Sequence, residues 1–298
     1  MTVLPHIPFQ LSNDFAALVA ATARGVVAVH GGGRAPSSGF FWQPGVVVTA
    51  EETVANDSDL AIVLPSGERV PATLAGRDPS TDIAVLRYQG APPASTFATA
   101  PATIGVQAGE LALVIGSADG GAVATLGMVS FSGGPWRSRL GGNIEARLVI
   151  DTRLPAIAEG GVLVTADGRF IGMAVFGPHR QVLAIPAATI AGVAPVILDK
   201  GHISRGYLGV GLQRVALSDG AKRRGAMVVT LDPDGPARAA GIHQGDIIVA
   251  VGGAAVSGPR SLYHQLGPDA VGRTTTVELV RAGVSVSVDV AVAARQAS

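Results

Sequence analysis

Short apolar runs separated by turn-forming residues cover most of the first 190 residues. The first six runs predict β-strands at Val26–His30, Gly39–Trp42, Val46–Thr49, Leu60–Leu64, Arg69–Ala75 and Ile83–Tyr88. Six more follow at Leu111–Ile115, Ala122–Phe131, Ala146–Asp151, Val162–Val164, Phe170–Val175 and Val182–Ile185. Several runs alternate apolar and polar positions, which is the pattern of a strand with one buried face. Two successive sets of six strands are what a double β-barrel requires.

Helical spacing occurs in fewer places. Residues 12–24 predict an amphipathic helix. The segment begins with polar residues, and Phe15, Leu18, Val19 and Thr22 follow at helical spacing, so they share one face. Ile190–Leu198 predicts a second helix, which would close a first domain of residues 1–200. A linker at 201–205 would lead into a second domain at 206–298, whose length is typical of a small domain.

Composition supports a folded, mainly β chain. Of 298 residues, 48% are hydrophobic and 15% are charged, so a sizeable core is expected and disorder is not. Lys and Arg number 22, as do Asp and Glu, and this balance removes the electrostatic case for nucleic acid or an anionic membrane as partner. The chain has no cysteine, which excludes disulfides, thiolate catalysis and cysteine-based zinc sites.

The N-terminus bears on localisation. Met1–His6 lacks the basic segment and the uninterrupted apolar segment of a signal peptide. No apolar run approaches the roughly 20 residues that span a bilayer. If Met1 is the natural start, we expect a cytoplasmic protein; if a signal peptide has been removed, the alternative is the periplasm.

Several segments of the first domain resemble the framework motifs of a known family. Asp78–Leu86 reads Asp-Pro-Ser-Thr-Asp-Ile-Ala-Val-Leu, and Thr125–Ser130 reads Thr-Leu-Gly-Met-Val-Ser. Together with Val46–Thr49, Ile115–Ser117 and Leu183–Pro186, they are similar to the HtrA/DegP family, which joins a trypsin-fold serine protease domain to PDZ domains. The resemblance implies a trypsin-like double six-stranded β-barrel followed by a PDZ domain, itself a β-sandwich or partly open barrel with two helices.

The positions that would carry the family's chemistry are changed. Ile157–Leu163 reads Ile-Ala-Glu-Gly-Gly-Val-Leu, where the family has Gly-Asn-Ser-Gly-Gly-Pro-Leu. The resemblance places the triad histidine on Glu52, the aspartate on Asp82 and the serine on Glu159. The oxyanion-hole glycine falls on Ile157, whose side chain disfavours the backbone that this position adopts. Because these losses remove nearly all of the rate enhancement, a degenerate, inactive member is expected.

The residues that replace the triad are all carboxylic acids. If the barrel closes as in the family, Glu52, Asp82 and Glu159 lie within a few ångströms of one another. Two like charges about 4 Å apart repel by roughly 4 kcal/mol at an effective dielectric near 20. The cluster must then hold a proton, a basic side chain or a hard divalent ion such as Ca²⁺, Mg²⁺ or Mn²⁺. The alternative is that the glutamates point to solvent; no cofactor is expected.

The second domain carries signals of peptide binding. Arg205–Val210 resembles the PDZ loop whose backbone amides face a terminal carboxylate. Asp234–Ile242 and Gln244–Gly253 are similar to the helix and hairpin that follow in PDZ domains, and Ser261–Leu266 predicts the helix beside the groove. The resemblance implies peptide-binding roles for Gly206, Tyr207, Leu208, Gly209, Val210, Leu262 and Leu266. For the leucines, an ordinary core position is the alternative.

Three functions follow from the sequence. The leading one is a catalytically inactive HtrA-like scaffold or adaptor, which binds C-terminal or extended peptide segments of partner proteins through its PDZ domain. The second is an enzyme, either a serine endopeptidase of the family acting in protein quality control or a hydrolase that uses the carboxylates. The third is a structural subunit of a larger complex, and since HtrA relatives commonly trimerise, a homotrimer is a further expectation.

Overall fold

The computed structural model describes residues 7–33, 35–90, 95–98, 105–217 and 223–294. The chain divides into two compact units, Met1–Trp136 with Asn143–His202 and Arg137–Gly142 with Ile203–Ser298. The domain limits of 1–200, 201–205 and 206–298 stay predictions from the sequence. Among the described residues, no helix is long and apolar enough to cross a bilayer.

The first unit begins with helix α1 (Ile7–Ala23) and continues with a closed six-stranded barrel. Its strands are β1 (Val26–His30), β2 (Ser37–Gln43), β3 (Val46–Ala50), β4 (Ala61–Val63), β5 (Arg69–Asp78) and β6 (Ile83–Tyr88). They neighbour one another in the order β1-β2-β3-β6-β5-β4, and the pairing of β1 with β4 closes the barrel. Every strand contributes to its core, for example through Val29, Phe41, Val47, Ile62, Val70 and Leu86.

A second closed barrel completes this unit. The strands of this part are β7 (Leu111–Ala118), β8 (Gly121–Gly133), β9 (Trp136–Arg137), β10 (Asn143–Ile144), β11 (Arg147–Asp151), β12 (Val162–Thr165), β13 (Phe170–Phe176) and β14 (Val182–Pro186). The barrel order is β11-β14-β13-β12-β7-β8, while β9 and β10 form a separate two-stranded sheet. Helix α2 (Ala187–Lys200) follows and ends at Gly201, which has the left-handed conformation typical of a helix C-terminus.

The double barrel confirms the predicted fold class, but some limits were wrong. Helix α1 begins at Ile7 rather than at residue 12, and the polar residues expected to start it lie on its exposed side. Pro8 is compatible with this early start, because a proline in the first turn has no backbone bond to lose. The predicted half-buried face is confirmed: Phe15, Leu18, Val19 and Thr22 are partly buried between exposed neighbours. Helix α2 is longer than its predicted core of Ile190–Leu198.

The second unit is a small sheet flanked by two helices. Its elements are β15 (Gly206–Tyr207), β16 (Val210–Ala216), β17 (Arg224–Leu231), α3 (Pro236–Ala239), β18 (Ile247–Val251), β19 (Ala254–Ala255), α4 (Pro259–Gln265), β20 (Thr274–Arg281), β21 (Val284–Ala291) and β22 (Ala293–Ala294). The sheet order is β16-β17-β18-β20-β21, so β16 and β21 are its edges. β19 pairs with β18, and β15 pairs with β22. This confirms the predicted PDZ architecture.

Candidate functional sites

The position predicted for the triad histidine lies in a short 3-10 turn, Glu51–Thr53, directly after β3. Glu52 is exposed, and Glu51 forms an ion pair with Arg77 at 3.2 Å. The Arg77 guanidinium also donates a hydrogen bond to the Val54 carbonyl at 3.0 Å. Arg77, on β5, therefore anchors the turn that presents Glu52. Sequence reasoning missed Arg77, because its partners come from a distant part of the chain.

Asp82 reaches this turn from the start of β6. Its Oδ1 accepts a hydrogen bond from the Glu52 amide at 3.1 Å, and its carbonyl accepts one from the Glu51 amide at 3.3 Å. Its backbone is left-handed, with φ of 57°, a conformation that aspartate tolerates better than most residues. The preceding turn is held by Asp78, whose carboxylate accepts hydrogen bonds from the hydroxyls of Ser80 and Thr81. The Asp82 carboxyl is thus fixed beside Glu52.

Glu159 is held by backbone groups on three sides. It follows a 3-10 turn, Ala156–Ala158, and its side chain and backbone together are only 9% exposed. Its Oε1 accepts a hydrogen bond from the Phe176 amide at 3.1 Å, and its carbonyl accepts one from the Ser38 amide at 2.8 Å. Its own amide donates to the Ala156 carbonyl at 3.2 Å.

That last hydrogen bond bears on the oxyanion hole. In a trypsin-type site, the amide of the nucleophile and the amide two residues earlier face the substrate oxyanion. Here the Glu159 amide is bonded within its own turn, and the carbonyl of Ile157 accepts a hydrogen bond from the Ser38 hydroxyl at 2.6 Å. One of the two expected donors therefore already has a partner inside the protein.

The glycines after Glu159 keep the loop packed on the barrel. Gly160 has φ of 80°, and a Cβ placed on it would lie 2.3 Å from the Ser38 carbonyl oxygen. A Cβ on Gly161 would lie 2.5 Å from the Ile115 carbonyl oxygen. Both contacts are too short for any side chain, so the framework requires these glycines whether or not the loop catalyses a reaction.

Burial and mutual repulsion raise the pKa values of two of the three carboxyl groups. Burial raises the pKa of Asp82 to about 7, and the neighbouring Glu52 and Glu51 carboxylates add to the rise, although the Glu52 amide opposes it. Burial also raises the pKa of Glu159 to about 7, with further contributions from its hydrogen bond to the Glu52 side chain and from the Asp82 charge. The structure thus brings Glu52, Asp82 and Glu159 together, and the raised pKa values of Asp82 and Glu159 place the titration of these two carboxyls near neutral pH.

The chemistry available around these carboxyls is limited. The hydroxyls of Ser38, Thr49 and Thr53 donate to the carbonyls of Ile157, Ser38 and Ala50, respectively, so none is arranged as a base-activated nucleophile. Within the described residues, no group of three or more histidine, cysteine or acidic side chains has the arrangement of a metal site. The divalent-ion alternative at Glu52, Asp82 and Glu159 stays a prediction from the sequence.

In the second unit, the loop before β16 turns the carbonyls of Leu208 and Gly209 inward. The Leu208 carbonyl accepts a hydrogen bond from the Ala237 amide, and the Gly209 carbonyl accepts one from the Asp232 amide, each at 2.8 Å. The C=O and N–H of a trans peptide point in opposite directions. The amides of Gly209 and Val210, which follow these carbonyls, therefore point outward, as the binding of a carboxylate requires.

The leucines predicted to line the peptide groove belong to the core. Leu208, Leu262 and Leu266 are at most 4% exposed and pack together in the second unit. Val210 is partly buried against the same core, and the Tyr207 hydroxyl donates to Asp232 Oδ2 at 2.8 Å. The sequence left this core position open as the alternative for the leucines, and their contact with a peptide stays a prediction.

Helix α4 packs beside the sheet edge at β16, where the sequence predicts the peptide groove. At one end the Gly206 amide donates to the Leu266 carbonyl at 3.0 Å. At the other end, a Cβ placed on Gly258 would lie 2.8 Å from Arg214 Nε. Helix α4 therefore runs antiparallel beside β16, ending at the loop and beginning at Arg214. Sequence reasoning missed Arg214, although its alternation with Leu212 and Val210 was a signal for it.

Comparison with known proteins follows the same division. Residues 37–173 match the trypsin-like peptidase domain family, and residues 206–292 match the PDZ domain family. A relative from Brucella suis biovar 1 (strain 1330), named probable periplasmic serine endoprotease DegP-like, is 32% identical in an alignment of 273 residues that covers 87% of this chain and 53% of that protein. The periplasmic serine endoprotease DegP of Escherichia coli (strain K12) is 30% identical over 82% of this chain and 54% of its own length. This chain thus spans about half the length of these curated relatives.

Solved structures agree with the fold over nearly the whole chain. The HtrA-type protease AlgW with tripeptide superimposes with a TM-score of 0.68 at 27% identity, covering 95% of this chain and 98% of that one. The serine endoprotease from Yersinia pestis gives a TM-score of 0.71 at 26% identity, with the same coverage. The two domain matches in this order, the similarity to DegP proteins and the shared fold agree with one another. The chain therefore belongs to the HtrA family, in which a trypsin-like peptidase domain precedes a PDZ domain.

Proposed function

We propose that this chain is a peptide-binding HtrA-family protein, which engages the C-terminal segments of partner proteins through its PDZ unit and does not cleave peptides by the serine mechanism. The observation that carries the proposal is the outward pair of amides at Gly209 and Val210, next to the edge strand β16. The amides suit a terminal carboxylate, and an edge strand can take one further strand by backbone hydrogen bonding. Peptide complexes of the HtrA-type protease AlgW support this reading.

The absence of cleavage is proposed from the barrel. Serine catalysis needs a hydroxyl, an imidazole and an oxyanion hole, and removing triad groups costs on the order of 10⁴–10⁶ in rate. Glu52 and Glu159 supply neither of the first two, and the Glu159 amide is bonded to the Ala156 carbonyl. The partners of this protein, and its action as an adaptor, a subunit or a homotrimer, belong to the same proposal.

The relatives favour a second candidate, a serine-type endopeptidase, because they carry that name. Under this candidate, a hydroxyl other than one at position 159 would have to be recruited as nucleophile. A fluorophosphonate probe and a casein digest distinguish the two candidates, with the Escherichia coli DegP protein as the active control. We expect no labelling and no cleavage; either one would reject the non-cleaving half of the proposal.

Peptide binding is tested separately. The probe is a pool of fluorescein-labelled decapeptides whose last four positions mix Ala, Val, Leu, Phe and Ser, made with a free or an amidated C-terminus. We expect the free pool to bind the full chain at least tenfold more tightly. Gly209→Ala should weaken this binding, since the residue has φ of 75° and its Cβ would lie 2.9 Å from Gly235 Cα.

The matched control is Gly253→Ala, where φ is 77° but nothing lies within 4 Å of the new Cβ. This control carries the same kind of backbone strain without a contact at the loop. Equal binding of the free and amidated pools would reject recognition of a terminal carboxylate.

The location of the protein is also proposed from its relatives. Their names place them in the periplasm, which supports the periplasmic alternative over the cytoplasmic expectation drawn from Met1–His6. Fractionation of the native cells, with immunodetection of the chain in the periplasmic extract, would test this.

A further inference from the structure

We infer that the PDZ groove selects peptides with an acidic residue four positions before the C-terminal one, and that Arg214 reads this residue. The inference rests on the proposed binding of peptide C-termini and adds the chemical class of the ligand. The inference follows from two features: the register in which a bound peptide would pair with β16, and the charges along β16 and α4.

The register is set by the loop. A carboxylate bound at the Gly209 and Val210 amides places the last peptide residue opposite Val210. An antiparallel strand then proceeds along β16 with side chains alternating between the two faces of the sheet. The second residue before the end falls opposite Leu212, and the fourth falls opposite Arg214. Residues directly opposite each other project to the same face.

That face is the one covered by α4. Val210 and Leu212 pack against the core that also contains Leu262 of α4. Arg214 follows in the same alternation, and its Nε lies over Gly258, just before α4 begins. The side chain is nevertheless exposed, and within the described residues its guanidinium has no ion pair or hydrogen bond. The charge is therefore available to a ligand at the far end of the groove.

Further positive charge accompanies Arg214, and no negative charge opposes it on the two groove elements. Neither β16 nor α4 contains an acidic residue, whereas α4 carries Arg260 in its first turn. Arg224 pairs with Ala216, two residues beyond Arg214, and so projects to the same face of the sheet. Arginine pairs well with a carboxylate because its planar fork can donate two hydrogen bonds. An acidic side chain at this position is the complementary ligand.

The experiment compares three versions of the decapeptide pool, which differ only at the fourth position before the C-terminal residue: Glu, Gln or Lys. With the full chain at low salt, we expect the Glu pool to bind at least threefold more tightly than the Gln pool, and the Lys pool most weakly. High salt should reduce the difference, since part of it is electrostatic. Arg214→Gln should abolish the preference while leaving the affinity for the Gln pool unchanged.

Arg214→Glu provides a second, independent readout, because it should reverse the order and favour the Lys pool. The matched control is Arg238→Gln, which removes an exposed positive charge from α3, outside both groove elements, and should keep the preference for Glu. Equal binding of all three pools would overturn the inference and leave the proposed function standing. Failure of every pool to bind, with free and amidated termini alike, would overturn both.

Discussion

At the scale of single residues, the carboxyl groups at Asp82 and Glu159 make folding depend on pH. Their pKa values are raised, mainly by burial, from 3.8 and 4.5 to about 7. The folded chain therefore binds protons that the unfolded chain releases between about pH 4 and pH 7. The stabilising contribution of these groups is fully present below pH 4 and is lost as the pH rises through 7.

We predict that Glu159→Gln reduces the loss of stability that accompanies a rise in pH through 7. The amide side chain can still accept the Phe176 hydrogen bond but carries no charge next to Glu52 and Asp82. At pH 8 the variant should melt about 2–4 °C higher than the parent, which corresponds to about 1 kcal/mol for a unit of this size. Thermal melts at pH 5 and pH 8 check this. Glu68→Gln, at an exposed site outside the cluster, should change neither melt; a variant less stable than the parent at pH 8 would contradict the argument.

At the scale of elements, close backbone approach decides where the barrels tolerate a side chain. Gly172 lies within β13 with φ of 152°, and a Cβ there would lie 2.2 Å from the Ile185 carbonyl oxygen on β14. We predict that Gly172→Ala lowers the free energy of unfolding by about 2–3 kcal/mol, because strand pairing must shift to make room. Urea unfolding of the barrel unit measures the loss.

The opposite effect is predicted at Gly192 in helix α2. A Cβ there meets nothing within 4 Å, and glycine is a poor helix former. Gly192→Ala should therefore raise the free energy of unfolding by about 1 kcal/mol in the same measurement. The two substitutions add the same methyl group, so opposite signs would show that the local backbone, rather than added hydrophobicity, governs both results.

The elements also show how far the sequence could lead. Every predicted strand exists, because β-strands with a buried face carry a repeating apolar pattern that survives in a single sequence. The predicted ends of elements were wrong where the apolar pattern stops before the regular backbone does. β5 extends past Ala75 to Asp78 through an irregularity near Gly76, and α1 extends back to Ile7. Propensity and periodicity do not determine such ends.

In the candidate sites, too, some features could be predicted from the sequence and others could not. The resemblance to the family's motifs located Glu52, Asp82 and Glu159, and the structure brings them together. The bond from the Glu159 amide to the Ala156 carbonyl and the anchoring role of Arg77 could not be foreseen, because they depend on how distant segments pack. The same is true of Arg214, whose importance appears only when α4 is placed beside β16.

At the scale of the whole molecule, each unit carries its own core, and in the second unit the buried carboxylate of Asp246 pairs with the partly exposed Arg281. Asp246 is 2% exposed, and both of its carboxylate oxygens accept hydrogen bonds from Arg281, at 2.8 and 2.7 Å. Although burial alone would raise the pKa of Asp246, Arg281 and the His243 amide lower it below its usual range. The stabilisation is thus present above about pH 4 and is lost on further acidification.

We predict that Asp246→Ala destabilises the second unit, because Arg281 and the His243 amide both lose the carboxylate that accepts their hydrogen bonds. Hydrogen exchange should accelerate in β17, β18 and β20 and remain unchanged in the two barrels, whose cores share no residue with this one. The matched control is Asp289→Ala, at an exposed hydrogen bond with Thr276 in the same unit, which should cost far less. Equal acceleration in the barrels would contradict the separation of the cores.

The edge strand β16 has a consequence for solubility. The barrels are closed and present no edges, whereas the sheet of the second unit ends at β16 and β21. An edge that can accept a peptide strand can also pair with the same edge of another molecule, which is a route to aggregation. An exposed charge on such a strand opposes this, since two copies would bring like charges together. Arg214 occupies that position, so the side chain that selects an acidic ligand also opposes edge-to-edge association of the protein at high concentration.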